Sequence, residues 1–471
     1  MKSITCDLLV IGAGSGGLSL AAGASQMGAD VVLLEAHKMG GDCLNYGCVP
    51  SKALLASGHV AHAQAHGGAF GIEDHASDVD YAAAKGHVQE VIDTIAPVDS
   101  QDRFEGFGVR VIRETGRFVS RTEVEAGDTR IRARRIVVAT GSSPFVPPIP
   151  GLEDVNYLTN ETLWSLTDRP DHLIVIGGGP IGMEMAQAHH RLGSKVTVLE
   201  AQDALGRDDP EAAAFVLDHL RGEGVDVREQ TSAEAVRQQG GQIVVETSAG
   251  PVTGSHLLVA VGRKPNTEGL NLDVAGVETT KTGIQVGANL RTTNPRVYAI
   301  GDVAGQGQFT HLAGYHASVI IRSLLFALPA KAKTAHVPRA TYTDPEIAQV
   351  GLTEAEARSE YGGRLEVARF DYGHNDRAIA TRRATGLIKV MVVAGRPVGA
   401  TIAGHQAGEL IATWSLAIAN RLKMSQIAAM IAPYPTIAEL NKRVAGAYFS
   451  PRLFENSVIK RVVRFVQRWI P

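Results

Sequence analysis

Cysteine is scarce in this chain, with three among 471 residues. That is too few for the disulfide framework of a small secreted protein. Long apolar runs are missing as well. None reaches the roughly 18 residues that a membrane span requires, and the opening "MKSITCDLLVIGAG" passes into a strand and a glycine turn without a signal-peptide cleavage site. Nor is charge of one sign in excess: 46 Lys and Arg face 49 Asp and Glu, a net charge of −3. No polyanion-binding bias results, so nucleic acid is not an expected partner and the cytosol is the expected location. What is present is ordinary globular composition, 44% hydrophobic and 20% charged, in a chain too long for one core and sized for two to four domains.

Two stretches share one plan. "DLLVIGAGSGG" is an apolar strand running into Gly12, Gly14 and Gly17, then a small-residue helix and a second strand, "VVLLEA", ending in Glu35. "LIVIGGGPIG" supplies Gly177, Gly179 and Gly182, and "KVTVLEA" ends at Glu200; in both copies the acid follows the first glycine by 23 residues. The glycines answer three demands: a tight turn, close approach of backbone to a pyrophosphate, and a helix packed hard against its strand with its N-terminus toward the anion. Each Glu can accept hydrogen bonds from ribose hydroxyls. A carboxylate at Glu200 repels a 2′-phosphate, which favours NAD over NADP, with Arg207 nearby to soften the preference. Two further strand ends, "RIVVATGSSPFVPPIPG" with Thr140 and Gly141, and "LLVAVGRKPNT" with Gly262, finish in loops suited to leaving one nucleotide domain and returning.

Two of the cysteines lie close together in "GGDCLNYGCVPSKALL". A zinc site would need a second ligand pair, and no cysteine follows Cys48. Cys6 reads as a buried apolar residue of the first strand. Cys48 stands at a helix start, with Pro50 in the first turn and Lys52 one turn on, so dipole and cation both favour thiolate. Beside a dinucleotide fold, two thiols of lowered pKa read as a disulfide that is reduced and re-formed in each turnover.

With that motif in place, the sequence resembles the flavoprotein disulfide reductases, the class that includes dihydrolipoyl dehydrogenase, glutathione reductase and mercuric reductase. The resemblance rests on "GGDCLNYGCVPSK", both glycine fingerprints, "AIGDVAG", "YTDPEIAQVGLTE" and "PYPTIAEL", and it reaches to about residue 450. It implies an α/β protein with two Rossmann-like domains, for FAD and NAD, and an α+β C-terminal dimerisation domain. The expected boundaries are 1–145 for the first part of the FAD domain, 146–268 for the NAD domain, 269–335 for the second part of the FAD domain, 336–450 for the interface domain and 451–471 for a basic amphipathic helix. By the same resemblance Gly12, Gly14, Gly17, Glu35, Lys52, Gly116, Thr140, Gly141, Asp302 and Thr310 hold FAD, while Gly177, Gly179, Gly182, Glu200 and Gly262 hold the nicotinamide nucleotide. Electrons would pass between NAD(H) and a disulfide or dithiol substrate by way of Cys48, on the flavin side, and Cys43, which exchanges with substrate. Glu184 would pair with Lys52. A homodimer is implied, the C-terminal domain of one subunit completing the site of the other.

The chain departs from this family twice. Where dihydrolipoyl dehydrogenase has His-Pro-Thr-x-x-Glu, this sequence has Tyr434-Pro435-Thr436-Ile437-Ala438-Glu439. A phenol titrates near 10, so it is a poor proton acceptor at neutral pH and a good hydrogen-bond donor. Oxidation of a dithiol by NAD should suffer most. A tyrosine in this setting resembles mercuric reductase, but that group passes its metal through a C-terminal cysteine pair absent here. His59, His62 and His66 share a helix face and read as solvated, with no metal site expected; His189 and His190 read as helix surface.

The second departure is the tail, "RLFENSVIKRVVRFVQRWIP". Val458, Val462, Phe465 and Trp469 form a stripe widened by Ile459, Val463 and Val466, and Lys460, Arg461, Arg464 and Arg468 lie opposite. Such a helix more often packs on its own domain or dimer mate; the alternative is an anionic membrane surface or a partner. The expectation is thus a dihydrolipoyl dehydrogenase-like oxidoreductase, against the alternative of a metal-ion (mercuric-like) or quinone reductase docked at a membrane.

Overall fold

The computed structural model describes residues 1–75 and 78–470. The chain divides into two compact units, Met1–Ala201 with Arg228–Thr334, and Gln202–Val227 with Ala335–Pro471. In the first unit the strand Lys2–Ile11 pairs in parallel with Val31–Leu34 on one side and Thr129–Val138 on the other. Arg110–Ile112 extends the sheet beyond Val31–Leu34, and Val297–Ala299 extends it beyond Thr129–Val138, again in parallel. The last four residues of the first strand and all of Val31–Leu34 are buried, as the unbroken apolar runs "LLVI" and "VVLL" require of a parallel sheet. The chain therefore leaves this sheet after Val138 and rejoins it near residue 297. Between these points a second parallel sheet forms, with His172–Ile176 flanked by Lys195–Leu199 and His256–Val259, and Tyr157–Leu158 at one edge.

The same device closes each strand-to-helix corner. Gly12 and Gly177 take φ of +108° and +113°, a region that L side chains avoid. Five residues on, a Cβ at Gly17 would stand 1.9 Å from the Gly12 oxygen, and one at Gly182 would stand 2.0 Å from the Gly177 oxygen. Only glycine lets the helices Ser15–Gln26 and Pro180–Arg191 sit this near their strands.

The second unit is an antiparallel sheet in the order Arg339–Thr341, Glu346–Gly351, Arg396–Gly404, Gly386–Val393, Leu365–Asp371. The helices Ala407–Ala419 and Glu439–Phe454 contribute to its core around Trp414, which is fully buried and donates from Nε1 to Asn441 Oδ1 at 2.7 Å. The architecture is the expected α/β one, with two dinucleotide-type sheets and an α+β C-terminal part.

Two details of the sequence reading change. His189 is not helix surface: it is fully buried, and its Nδ1 and Nε2 lie 2.8 Å from Met185 O and 3.1 Å from Tyr81 Oη. The tail helix Ser457–Trp469 has no buried residue, so packing on its own domain is not what the fold provides; the other expected packing, on a dimer mate, involves the partner subunit.

Gly182→Ala is expected to destabilise the protein by about 3 kcal/mol, because the added methyl must displace a backbone carbonyl. Thermal unfolding checks this against Gly222→Ala, where a Cβ meets nothing within 4 Å and little loss is expected.

Candidate active site

Both glycine helices start without a side-chain cap, at Gly14 and Gly179 in extended conformation. Their first-turn N–H groups therefore have no side-chain acceptor at the cap. A Cβ at Gly179 would meet nothing within 4 Å, and one at Gly14 only the Gly41 Cα at 4.0 Å. Open space in front of an uncapped helix N-terminus fits a pyrophosphate, and it occurs once in each copy of the fingerprint. Glu35 Oε2 accepts from Ala13 N at 2.7 Å, and Glu200 Oε2 accepts from Gly178 N at 2.7 Å. Each acid is thereby braced on its own glycine turn, one strand across. Gly141 (φ +68°) and Gly262 (φ +139°) also face open space, whereas a Cβ at Gly116 would lie 2.6 Å from Leu34 Cδ1, so that glycine serves packing. Thr140 donates to Asn266 O at 2.7 Å.

The cysteines lie against the first of these turns. Gly40 and Gly41 have φ of +85° and +60°, and Gly40 N donates to Ala13 O at 3.0 Å. From there the short helix Gly41–Asn45 carries Cys43, and the helix Cys48–Ala65 begins at Cys48. Both thiols are free; Cys43 is half-buried and Cys48 exposed, with its Sγ 3.6 Å from Thr310 Oγ1 at the start of the helix Thr310–Leu325. The environment splits the pair. The hydrogen bond with Cys43, then that with Thr310 and the charge of Lys52, hold Cys48 down at about 6 despite its partial burial. The same bond to Cys48, together with burial, pushes the Cys43 thiol far up. The sequence reading lowers both thiols; two sulfurs that share one proton cannot both be thiolates, so one falls at the other's cost.

One turn along that helix, Lys52 Nζ donates to Glu184 Oε2 at 2.8 Å. Glu184 is buried and Lys52 about one-third exposed. The pair connects the cysteine helix to the helix Pro180–Arg191 of the second glycine fingerprint, and the two helices cross at Gly58, where a Cβ would sit 3.4 Å from Arg191 Cβ.

A polar chain that sequence reasoning missed runs beside the cysteines. Arg263, its side chain only 10% exposed, places Nη2 3.0 Å from Asp42 Oδ1 and donates from Nε to Ser142 Oγ at 2.7 Å. Ser142 Oγ donates onward to Asp302 Oδ2 at 2.6 Å, and Asn160 Nδ2 reaches Asp42 Oδ1 at 3.3 Å. Burial pushes the Asp302 carboxyl up, opposed by the Ser142 bond and the Arg263 charge. The only sequence signal was position: Ser142 and Arg263 each follow a glycine at a strand end. Behind the Glu184 helix, Lys85 is also buried, pushed down to about 8, with Nζ on Leu163 O at 3.2 Å and 4.8 Å from the Trp164 ring centroid.

Tyr434 and Glu439 belong to the second unit. The Tyr434–Pro435 peptide is cis, and the exposed phenol donates to Asp376 Oδ2 at 2.8 Å, which raises its pKa. Glu439 opens the helix Glu439–Phe454, its carboxylate 4.0 Å from Arg443. Asp376, 58 residues away in sequence, was not foreseen. His62 and His66 stack at 4.1 Å, and among the described residues no group of three or more His, Cys, Asp or Glu is placed to hold a metal ion.

Residues 6–317 match the family model of the pyridine nucleotide-disulphide oxidoreductases, and residues 337–445 match the model of that family's dimerisation domain. The chain belongs to this family of enzymes, which use FAD and NAD(P)H. A mercuric reductase of Lysinibacillus sphaericus is 35% identical over 441 residues, 92% of this chain and 81% of the relative. A dihydrolipoyl dehydrogenase of Thermus scotoductus is 37% identical over 459 residues, 92% of this chain and 95% of the relative. Among solved structures, the HOCl-induced flavoprotein disulfide reductase of Escherichia coli superposes with a TM-score of 0.83 at 27% identity, covering 93% of this chain and 99% of that one.

Alkylation of the reduced enzyme should follow Cys48 with a midpoint near pH 6, faster above it. Lys52→Met should move that midpoint upward, and Cys43→Ala should move it upward further, because the Cys43 hydrogen bond is the larger cause. Rates of iodoacetamide labelling against pH measure both shifts; a profile unmoved by Cys43→Ala would contradict the shared-proton account.

Proposed function

We propose that the chain is an FAD-dependent reductase that carries electrons from NADH to a disulfide substrate of the lipoyl type through Cys43 and Cys48. The observation that carries this reading is the placement of two free thiols against the first glycine turn, with Cys48 Sγ 3.6 Å from Thr310 Oγ1 and Lys52 one turn along its helix, an environment that lowers Cys48 and raises Cys43. Bound FAD would supply the two-electron relay between nicotinamide and sulfur. Gly12, Gly14, Gly17 and Glu35 would hold its adenosine diphosphate half, and Asp302, Thr310, Thr140 and Gly141 would meet the remainder. Gly177, Gly179, Gly182, Glu200 and Gly262 would hold the nucleotide. Glu200 favours NAD, since its carboxylate would repel a 2′-phosphate.

The residues assign themselves by proton demand. Cys48 thiolate can take the proton of Cys43 as Cys43 attacks the substrate disulfide, so this step needs no separate base. The departing substrate thiolate then needs a proton. Tyr434, supplied by the partner subunit of a homodimer, is a donor suited to that step and poorly suited to the reverse one. Asp376 would orient it, with Glu439 close by. The favoured direction is therefore reduction of the substrate. The domain limits proposed from sequence, with residues 336–450 as the interface, place Tyr434 in the dimerising part.

A second reading keeps the cysteines and changes the acceptor to a thiophilic metal ion. The phenol in place of a base favours it, as does the likeness to mercuric reductases; the lack of any cysteine after Cys48 weighs against it.

Turnover with NADH and NADPH against lipoamide, glutathione disulfide, mercuric ion and quinones separates these readings. The expected result is NADH-dependent disulfide reduction that exceeds dithiol oxidation and is abolished in Cys48→Ser. Tyr434→His should raise dithiol oxidation by about 100-fold, the usual contribution of a placed general base. Mercuric ion as the one efficient acceptor would replace the first reading with the second.

A further inference from the structure

We propose that the helix Ser457–Trp469 docks the enzyme on an anionic lipid surface. Its residues sort cleanly by face. Val458, Val462, Phe465 and Trp469 make one side, each more than half exposed, and Lys460, Arg461, Arg464 and Arg468 make the other. Asn456 caps the start, its Oδ1 accepting from Val458 N at 2.9 Å and Ile459 N at 3.2 Å. The match to the family's dimerisation model ends at residue 445, before this helix begins.

Charge selects the occupant. No acid occurs from Asn456 to the end of the sequence, so the cations at i, i+4 (Lys460 with Arg464, Arg464 with Arg468) repel one another without relief. A helix of this length is marginal in water even without that repulsion. A groove on a second copy of the chain would cover the apolar side and leave four cations repelling in solvent. An anionic lipid surface meets both needs, since headgroup charge neutralises the basic side while the acyl boundary takes the valines, Phe465 and Trp469. The helix lies on such a surface and does not cross it; no described helix is long and apolar enough to span a membrane.

The test uses the full-length holoenzyme with vesicles of phosphatidylcholine, with and without phosphatidylglycerol. Expected are co-sedimentation with the phosphatidylglycerol vesicles alone, weakening as salt rises, and a blue shift of tryptophan emission that Trp469→Phe removes, Trp414 being fully buried. Phe465→Glu should abolish binding. Arg464→Gln with Arg468→Gln should weaken it about 25-fold, at about five-fold per cation. NADH turnover and particle size should stay as in the parent. A chain ending at Glu455 repeats the test if Phe465→Glu does not fold. The proposal is overturned if the holoenzyme ignores the anionic vesicles, if the shortened chain binds them equally, or if Phe465→Glu splits the dimer without lipid, which would assign the helix to a second copy.

Discussion

The redox end of this molecule depends on two glycines in near contact. A side chain at Gly41 would place its Cβ 2.7 Å from the Gly14 Cα, so the cysteine-bearing turn can lie on the dinucleotide turn only because Gly41 has none. The Gly40 N–H to Ala13 carbonyl bond fixes the register of that contact. Everything on the sulfur side follows from it. Cys43 lies in the short helix that begins at Gly41, Cys48 begins the next, and the direction of that second helix carries Lys52 to Glu184. A packing constraint with no chemistry of its own thus decides where the chemistry can occur.

Around that contact, charge is arranged in pairs that cross from one nucleotide region to the other. Lys52 and Glu184 join the cysteine helix to the helix of the second fingerprint. Arg263, which follows Gly262, is nearly buried and answers Asp42, while Ser142 relays it to Asp302. A carboxylate next to a redox cysteine would ordinarily oppose its thiolate. Here Asp42 is engaged by Arg263 and Asn160 instead. Removing the guanidinium would leave Asp42, about one-third exposed, without its cation next to Cys43.

What could be read from the sequence was what is local in the chain. The glycine spacing, the strand runs on either side and the acid 23 residues on are consequences of one turn and one crossover, so they show in a single stretch of letters. The Cys43 and Cys48 pair is equally local. The polar chain through Arg263, Ser142, Asp302 and Asp42 is not, because its members are up to 260 residues apart and meet only after two sheets have formed. His189 misled for a related reason: a histidine near a helix end reads as surface, yet the neighbouring helix supplies Tyr81 to satisfy its ring while Met185 takes the other nitrogen. For the tail the face pattern was plain in the sequence, and what covers it was not, since periodicity states that an apolar face exists without naming its partner.

The substitution of Tyr434 for a histidine and the unequal thiols fit one proton economy. An imidazole can hold a proton that a dithiol releases, and it lets such a site run both ways; a phenol hydrogen-bonded to Asp376 holds its own proton more firmly still. On the proposed reading, with a phenol at that position, the sulfurs themselves would carry the exchanging proton, Cys43 holding it and Cys48 accepting it as Cys43 attacks. Such a site would suit giving electrons to an acceptor better than taking them from a dithiol. On that reading a residue of low basicity would act on direction, while electron transfer through Cys48 would need nothing from it.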